Sequence, residues 1–195
     1  MDFHKLVTEA RSCRRFDASR ELEPGFLRWL VDCVRICPCT ANAQVMRYMT
    51  VQAPDKRAAM YDSLVWAAML KDWDGPAESE RPTGYVVFFG PTENGKLNTN
   101  TCIDIGIMGQ TMQLAASSKG VDVCMFRSFK AKNIAEFLPT PEGYEVALVV
   151  AFGYGVEERR LAPVAADGST KYYRDENGVH YVPKRALADV LLGEY

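Results

Sequence analysis

Histidine is scarce in this chain of 195 residues, which contains only His4 and His180. A catalytic triad or a Cys-His pair uses histidine as its base, so the shortage argues against both kinds of active site. No apolar run approaches the roughly 20 residues that cross a bilayer, and Met1 to Lys5 lack the apolar stretch of a secretory signal. We therefore expect a cytoplasmic protein whose chemistry depends on a cofactor.

The six cysteines form no Cys-x-x-Cys pair. They are Cys13, Cys33, Cys37, Cys39, Cys102 and Cys124. Cys37-Pro38-Cys39 could bind a soft metal or act in redox chemistry, but structural metal sites usually present two matched pairs. We favour reduced structural thiols and predict no metal site.

Composition and charge limit the class of protein further. Hydrophobic residues make up 48% of the chain and charged residues 25%, as in ordinary globular domains. A net charge of -2 provides no general attraction to nucleic acid or to a membrane surface. The length suits one domain, which we place over residues 1–195.

Apolar spacing and end signals predict six helices. They span residues 3–14, about 24–37, 56–68, 98–119, 131–138 and 185–192, with Asp2 as the first N-cap and Pro38 ending the second helix. The fourth is the longest, and apolar residues on both of its sides predict a helix buried nearly all round. Such a helix would lie at the centre of the domain or across a subunit interface.

Strands are predicted at residues 48–51, 85–89, 121–126 and 144–152, and Asn177-Gly178 predicts a hairpin between residues 171–174 and 179–182. The polar stretch from Lys71 to Thr83 is expected to form a mobile loop. Trp66 and Trp73 beside it could wall a substrate pocket or simply pack in the core. The pattern favours one α+β domain.

Two segments rich in hydrogen-bonding groups are candidates for cofactor binding. Arg11-Ser12-Cys13-Arg14-Arg15-Phe16 places three guanidinium groups and a hydroxyl together, which suits a phosphate, although the segment taken alone favours a solvated basic helix end. Pro38 to Gln44 offers amide donors and acceptors from Asn42 and Gln44, which suits a planar heterocycle or an ordinary polar loop. Lys184 and Arg185 add two cations near the end of the chain.

Together these segments resemble the nitroreductase family, whose first motif reads roughly Arg-Ser-x-Arg-x-Phe. A helix then leads to Pro-Ser-x-x-Asn-x-Gln-Pro-Trp, and a basic residue precedes the final helix. This chain has Pro38 to Met46 at the second motif and Lys184-Arg185 at the third. The resemblance also covers the helix around residues 104–107 and the strands near residues 120–129 and 149–154.

The resemblance implies a three-layer α-β-α sandwich with a mostly antiparallel central sheet, completed by dimerisation. It also implies FMN at the interface of a homodimer and NADH or NADPH as the electron donor. The FMN phosphate and ribityl chain would be held by Arg11, Ser12, Arg14 and Arg15, together with Lys184 and Arg185. The partner subunit would supply the second motif to the flavin, with Cys39, Thr40, Asn42 and Gln44.

This sequence departs from the family pattern at several positions. Cys39 and Thr40 stand where serines are usual, and Val45-Met46 replaces Pro-Trp. Arg127, followed by Ser128, stands where many relatives have glycine close to the flavin. Its side chain would either donate to the flavin ring or point to solvent.

The implied activity is the reduction of nitroaromatics, quinones or similar conjugated acceptors in a ping-pong cycle, with no catalytic side chain. The sequence has no Gly-x-Gly-x-x-Gly fingerprint from which a preference for NADH or NADPH could be read. Two alternatives remain: a protein that stores or senses flavin without turnover, and a thiol or metal redox protein built on Cys33, Cys37 and Cys39.

Overall fold

The computed structural model describes residues 2–67, 69–70 and 73–195. Five α-helices lie in these ranges: α1 (Phe3–Glu9), α2 (Phe26–Arg35), α3 (Pro54–Ser63), α4 (Thr99–Ser118) and α5 (Ala131–Ala135). Three short 3-10 helices span Thr40–Asn42, Glu78–Glu80 and Leu187–Asp189. No helix within the described ranges is long and apolar enough to cross a membrane.

The main sheet is antiparallel throughout its central path. Its strands are β1 (Arg47–Val51), β2 (Gly84–Glu93), β4 (Asp122–Phe126) and β5 (Tyr144–Gly153), in the order β1-β2-β5-β4, and the short β3 (Lys96–Leu97) pairs with β2. The central strands β2 and β5 are runs of buried apolar residues because both faces of the sheet are covered. The four predicted strands are confirmed.

Helices cover both faces of this sheet. On one face, Val86, Phe88 and Val150 pack with α2 and α4 in the larger apolar cluster. On the other face, Tyr85 and Val149 pack with residues of α3 and α5. The chain therefore forms the three-layer α-β-α arrangement that was expected, with a central antiparallel sheet.

A second, smaller sheet follows the main one. Its strands are β6 (Arg159–Pro163), β7 (Tyr173–Arg174) and β8 (His180–Lys184), in the order β6-β8-β7, with β6 parallel to β8. The predicted hairpin is confirmed as β7 and β8, with Gly178 at a φ of 79° in the turn. Strand β6 was not predicted.

Two helix predictions are wrong at the ends of the chain. The first helix ends at Glu9 rather than Arg14, because Ser12 forms a parallel bridge with Val123 on β4. The predicted final helix over residues 185–192 is only the single turn Leu187–Asp189. Its apolar side chains remain exposed, Leu192 to 95%, so packing does not stabilise a longer helix there.

The middle helices follow their sequence signals more closely. Helix α2 buries Leu27, Leu30 and Val34, and Asn98 caps α4 by accepting from the backbone N–H of Thr101 at 2.8 Å. Helix α3 ends at Ser63, before the predicted end, and Ala68 lies outside the described residues.

The predicted loop from Lys71 to Thr83 is described from Trp73 onward, since residues 71 and 72 lie outside the described part. Thr83 is buried, and backbone hydrogen bonds from Phe16 and Ala18 reach Glu80 and Ser79. Trp66 is 7% exposed and packs edge-on against Phe126, so its packing role is the one that the fold supports.

Candidate cofactor site

The first basic segment is extended rather than helical, and this sets the direction of its side chains. The backbone N–H of Cys13 donates to the carbonyl of Val123 at 2.8 Å, and the side chains of Cys13 and Phe16 are fully buried. Cys13 thereby acts as an anchor, while Ser12 and Arg14 on either side of it face a cavity.

We call this cavity the basic cavity. It has a volume of about 300 Å³ and lies between the first segment, helix α4 and the second sheet. Its walls carry three cations, several neutral hydrogen-bonding groups and no carboxylate. The lining residues are Ala10, Arg11, Ser12, Arg14, Gln110, Gln113, Tyr172, His180, Val182 and Lys184.

Arg11 supplies positive charge and forms none of the ion pairs among the described residues. Its Nη2 donates to the carbonyl of Val7, and its buried Nε has no partner among the described residues. Burial, and then the charge of Arg159, lower the pKa of Arg11. A doubly charged phosphate would relieve both the repulsion and the missing hydrogen bond.

Arg14 is held by an aromatic ring and an imidazole. Its guanidinium lies 4.5 Å from the ring centroid of Tyr172, and its Nη1 lies 3.3 Å from Nε2 of His180. The backbone N–H of Arg14 donates to the carboxylate of Glu157 at 2.5 Å, and Glu157 also pairs with Arg174 at 2.8 Å. The cation is therefore positioned by residues of the second sheet and of the segment that leads into it.

His180 contributes to this arrangement as a neutral ring. It is fully buried, and burial followed by the charge of Arg14 lowers its pKa to about 4. Because a guanidinium can only donate, Nε2 accepts and the proton is on Nδ1, which has no partner among the described residues. His180 thus helps to hold Arg14 without adding charge.

Two of the predicted phosphate ligands lie elsewhere. Arg15 does not line the basic cavity, because its guanidinium forms a two-pronged pair with Glu80 at 2.5 and 2.7 Å. Arg185 follows the end of β8 and is also absent from the lining, whereas the preceding Lys184 is part of it. Within one chain the structure therefore brings together Arg11, Ser12, Arg14 and Lys184.

The second predicted segment is tied to α4 away from the basic cavity. The backbone N–H and hydroxyl of Thr40 donate to Oδ1 of buried Asp104 at 2.8 and 3.0 Å. Asp104 precedes Gln110 by six residues, which is about 9 Å along the helix axis. Cys39, Thr40, Asn42 and Gln44 are not part of the lining of the basic cavity.

The backbone of this second segment is strained. Ala41, Asn42 and Gln44 have φ values of 51°, 52° and 50°, in the left-handed region that non-glycine residues seldom occupy. Exposed Asn42 and Gln44 bond to each other, with Nε2 of Gln44 3.2 Å from Oδ1 of Asn42. Strain of this kind is concentrated at functional sites, so the segment is a candidate for ligand contact.

Arg127 and Ser128 lie on an exposed turn after β4 and do not reach the basic cavity. Nη1 of Arg127 donates to the carbonyl of Ala147 in the neighbouring β5. The carbonyl of Ser128 accepts from the backbone N–H of Val65 at 3.0 Å. Their contact with a flavin remains a prediction.

Six lining residues were not predicted as site residues: Ala10, Gln110, Gln113, Tyr172, His180 and Val182. The two glutamines carry a signal that could have been used, because they are three residues apart on an apolar helix and share one face. No local pattern marks Tyr172 or His180, since they reach the cavity only through the pairing of β7 and β8.

The thiols do not form a cluster for a metal. All six cysteines are free, and the described residues contain no group of three or more His, Cys, Asp or Glu side chains that could hold an ion. Burial raises the pKa of Cys124 to about 11, which keeps that thiol protonated and unreactive near neutral pH.

Comparison with known proteins identifies the family to which this architecture is similar. The family model described as "Nitroreductase family" matches residues 7–154, which include the first basic segment, the second segment and every strand of the main sheet. The match ends before β6, so the second sheet lies outside it.

Relatives and solved structures agree with that match. Protein DrgA of Synechocystis is 25% identical over 181 residues, covering 81% of this chain and 86% of its own. A nitroreductase with bound FMN from Desulfitobacterium hafniense superposes with a TM-score of 0.65 at 20% identity, over 86% of this chain and 96% of its own. An FMN-dependent nitroreductase from Clostridium difficile gives 0.63 at 19% identity, over 88% and 98%.

Proposed function

This chain belongs to the nitroreductase family, and from that membership we propose that it is an FMN-dependent oxidoreductase acting as a homodimer. We propose that NADH or NADPH reduces the bound flavin and that a nitroaromatic, quinone or similar conjugated acceptor reoxidises it. The two substrates would use the same site in turn, in a ping-pong cycle. Bound FMN would supply the redox chemistry, and the protein would bind, orient and tune it.

The observation that carries this proposal is the charge of the basic cavity. Arg11, Arg14 and Lys184 face a space of about 300 Å³ whose lining includes no acidic side chain. Such an excess of cations is unfavourable without an anion. Burial, and then the charge of Arg159 outside the lining, also lower the pKa of Arg11. A phosphate monoester with two charges would balance the cations of the cavity through charge-assisted hydrogen bonds.

The neutral groups of the cavity suit the polyol that follows the phosphate in FMN. Ser12, Gln110 and Gln113 carry hydroxyl and amide groups that can both donate and accept, as the ribityl hydroxyls require. Lys184 or Arg14 would also place positive charge where the reduced flavin carries negative charge. No side chain has to act as acid, base or nucleophile.

The flavin ring would lie against the second segment of the partner subunit. Asn42 and Gln44 would provide the amide groups for the carbonyls and ring nitrogens, and Thr40 would hold the segment on α4 through Asp104. This assignment explains why the two predicted segments do not meet within one chain. Each protomer would contribute half of each site.

A direct test is the visible spectrum of the purified protein. We expect a bound flavin whose absorbance bleaches anaerobically with NADH or NADPH and returns when a quinone or nitroaromatic is added. Flavin that neither donor bleaches would favour a protein that stores or senses flavin. A protein that cannot take up FMN would contradict both interpretations.

Arg11→Ala tests the position of the phosphate. We expect this substitution to weaken FMN binding about 10- to 100-fold, because it removes a charge-assisted contact. The matched control is Arg35→Ala, which removes an exposed arginine paired with Asp32 on α2. Equal FMN affinities of the two variants, measured by quenching of flavin fluorescence, would mean that the phosphate binds elsewhere.

A further inference from the structure

A second cavity lies on the other side of the main sheet, between helix α3 and the segment from Glu78 to Thr83. We call it the Tyr85 cavity. Its volume is about 170 Å³, and none of its lining residues is shared with the basic cavity. The lining residues are Ala18, Pro54, Arg57, Ala58, Tyr61, Glu78, Arg81, Pro82, Thr83 and Tyr85.

The hydroxyl group of Tyr85 is buried and has no hydrogen-bond partner among the described residues. Tyr85 is fully buried on the central strand β2, where a phenylalanine would fill the same apolar position. Tyr85 lines the cavity together with Tyr61, Arg81 and Arg57. An unpaired buried donor on a residue that lines a cavity points to a ligand.

A second unpaired donor belongs to another lining residue of the same cavity. Nε of Arg81 is buried without a partner, and the guanidinium of Arg81 lies 3.8 Å from the ring centroid of Tyr61. Among the described residues, Arg81 forms no salt bridge. The stacked ring holds the guanidinium in place, and the described part of the chain provides no counterion for its charge.

The other polar groups of the cavity already have partners. Arg57 donates to both carboxylate oxygens of Glu21 at 2.8 and 2.9 Å and to the carbonyl of Thr83 at 3.0 Å. Tyr61 donates to the carbonyl of Pro76 at 2.8 Å. Glu78 is the only acidic residue of the lining, and it is exposed. The cavity thus has an excess of donors, which a ligand with acceptor oxygens would satisfy.

We propose that the Tyr85 cavity binds a small oxyanion, either inorganic phosphate or a short carboxylate. The Tyr85 hydroxyl and Nε of Arg81 donate to its oxygens, and the guanidinium of Arg81 supplies the opposite charge. At about 170 Å³ the space has room for a small oxyanion such as phosphate or acetate. The proposal does not depend on FMN binding.

Calorimetric titration tests this site. The FMN-loaded protein is titrated with phosphate, acetate and chloride at matched ionic strength and pH. We expect saturable binding of phosphate or acetate and none of chloride, and the stronger of the two ligands identifies the source of the oxyanion. Binding of neither oxyanion, or equal binding of chloride, would show that the cavity holds only water or unspecific ions.

Two conservative variants locate the binding. Tyr85→Phe removes only the hydroxyl, and Arg81→Met removes the charge while keeping an unbranched chain. Each should weaken oxyanion binding at least tenfold, whereas Arg14→Ala, which alters the basic cavity, should leave it unchanged. Loss of binding in Arg14→Ala with full binding in Tyr85→Phe and Arg81→Met would place the anion in the basic cavity and overturn the proposal.

The variants also separate this proposal from that of the flavin site. The Arg14→Ala variant without bound FMN is titrated with the same anions. In this variant the substitution weakens phosphate binding at the basic cavity, so the remaining binding reports on the Tyr85 cavity. Oxyanion binding that persists in this background and disappears on adding Tyr85→Phe supports the Tyr85 cavity even if no flavin binds. Circular dichroism of each variant confirms that the fold is retained.

Discussion

At the residue scale, the electrostatics of the candidate site depend on how one cation is held. Arg14 lies against Tyr172 and His180, and its backbone bonds to Glu157. None of these three partners is within a hundred residues of Arg14 in the sequence. A guanidinium positioned in advance loses less side-chain entropy when it binds a phosphate, which favours affinity.

The buried His180 predicts how stability depends on pH. Its pKa is lowered from 6.5 to about 4 by burial and by Arg14, so between these values the unfolded chain binds more protons than the folded one. The contribution of neutral His180 to the free energy of unfolding is fully present above pH 6.5 and decreases as the pH falls toward 4. We expect the free energy of unfolding to drop by about 2 kcal/mol between pH 7 and pH 5 through this residue.

Urea unfolding at several pH values measures this effect. His180→Gln keeps an acceptor for Arg14 but cannot be protonated, so its free energy of unfolding should change much less over the same range. His4→Gln serves as the control because His4 lies on the exposed helix α1. A pH dependence that is the same in His180→Gln and in the unaltered protein would contradict the assignment.

At the scale of elements, the second segment combines a firm anchor with a strained backbone. Thr40 is bound twice to Asp104 on α4, while Ala41 has a φ of 51° and a ψ of 22°. A side chain with a Cβ in this left-handed conformation costs roughly 1–2 kcal/mol. The strained backbone holds the side chains of Asn42 and Gln44 in a fixed orientation toward a ligand.

Ala41→Gly tests this strain. Because glycine adopts the left-handed conformation without penalty, we expect the substitution to raise the free energy of unfolding by about 0.5–1 kcal/mol. The control, Ala58→Gly, lies in the exposed interior of α3 and should lower it by about 1 kcal/mol. A loss of stability in Ala41→Gly as large as in the control would show that residue 41 is not strained.

At the scale of the whole molecule, helix α4 links the fold to assembly. One side of it packs on the sheet through Ile105, Met108 and Met112, but Ile103 and Ile107 are 53% and 38% exposed in the single chain. Gly106 between them has no atom close to where a Cβ would stand. Helix α4 is therefore not buried on all sides in a single protomer, and its exposed apolar side would be covered in the proposed dimer.

Ile107→Glu is expected to disrupt that assembly, because a carboxylate buried in an apolar interface is unpaired. Sedimentation velocity should show a dimer for the unaltered protein and a monomer for the variant, and FMN affinity should fall with it. Ala58→Glu on α3, which packs on the opposite face of the sheet, should remain dimeric. A dimeric Ile107→Glu variant with full FMN affinity would place the interface elsewhere.

Local sequence determined most of the fold. Continuous apolar runs specify the buried strands β2 and β5, and the spacing of Leu27, Leu30 and Val34 specifies α2. These elements are predictable because burial of one face of a helix places apolar residues at a regular spacing. Burial of both faces of a strand makes the apolar run continuous. The order of the basic and amide-bearing segments also carried the family resemblance.

Tertiary structure decided the elements that depend on distant partners. Residues 11–15 follow helix α1 but become extended because Ser12 and Cys13 pair with β4 at the edge of the main sheet. The end of the chain has a helical pattern, but its apolar side chains remain exposed, so only one turn forms. Each outcome depends on a surface that local periodicity does not encode.

The candidate site divides in the same way. The sequence by itself determined which residue types could hold a phosphate, since guanidinium and hydroxyl groups in one short segment suit a phosphate as well as a solvated helix end. Only the tertiary structure decided that Arg14 and Lys184 line one cavity while Arg15 turns to Glu80. The reason is that a cavity is formed by separate elements, and their packing selects which charges meet.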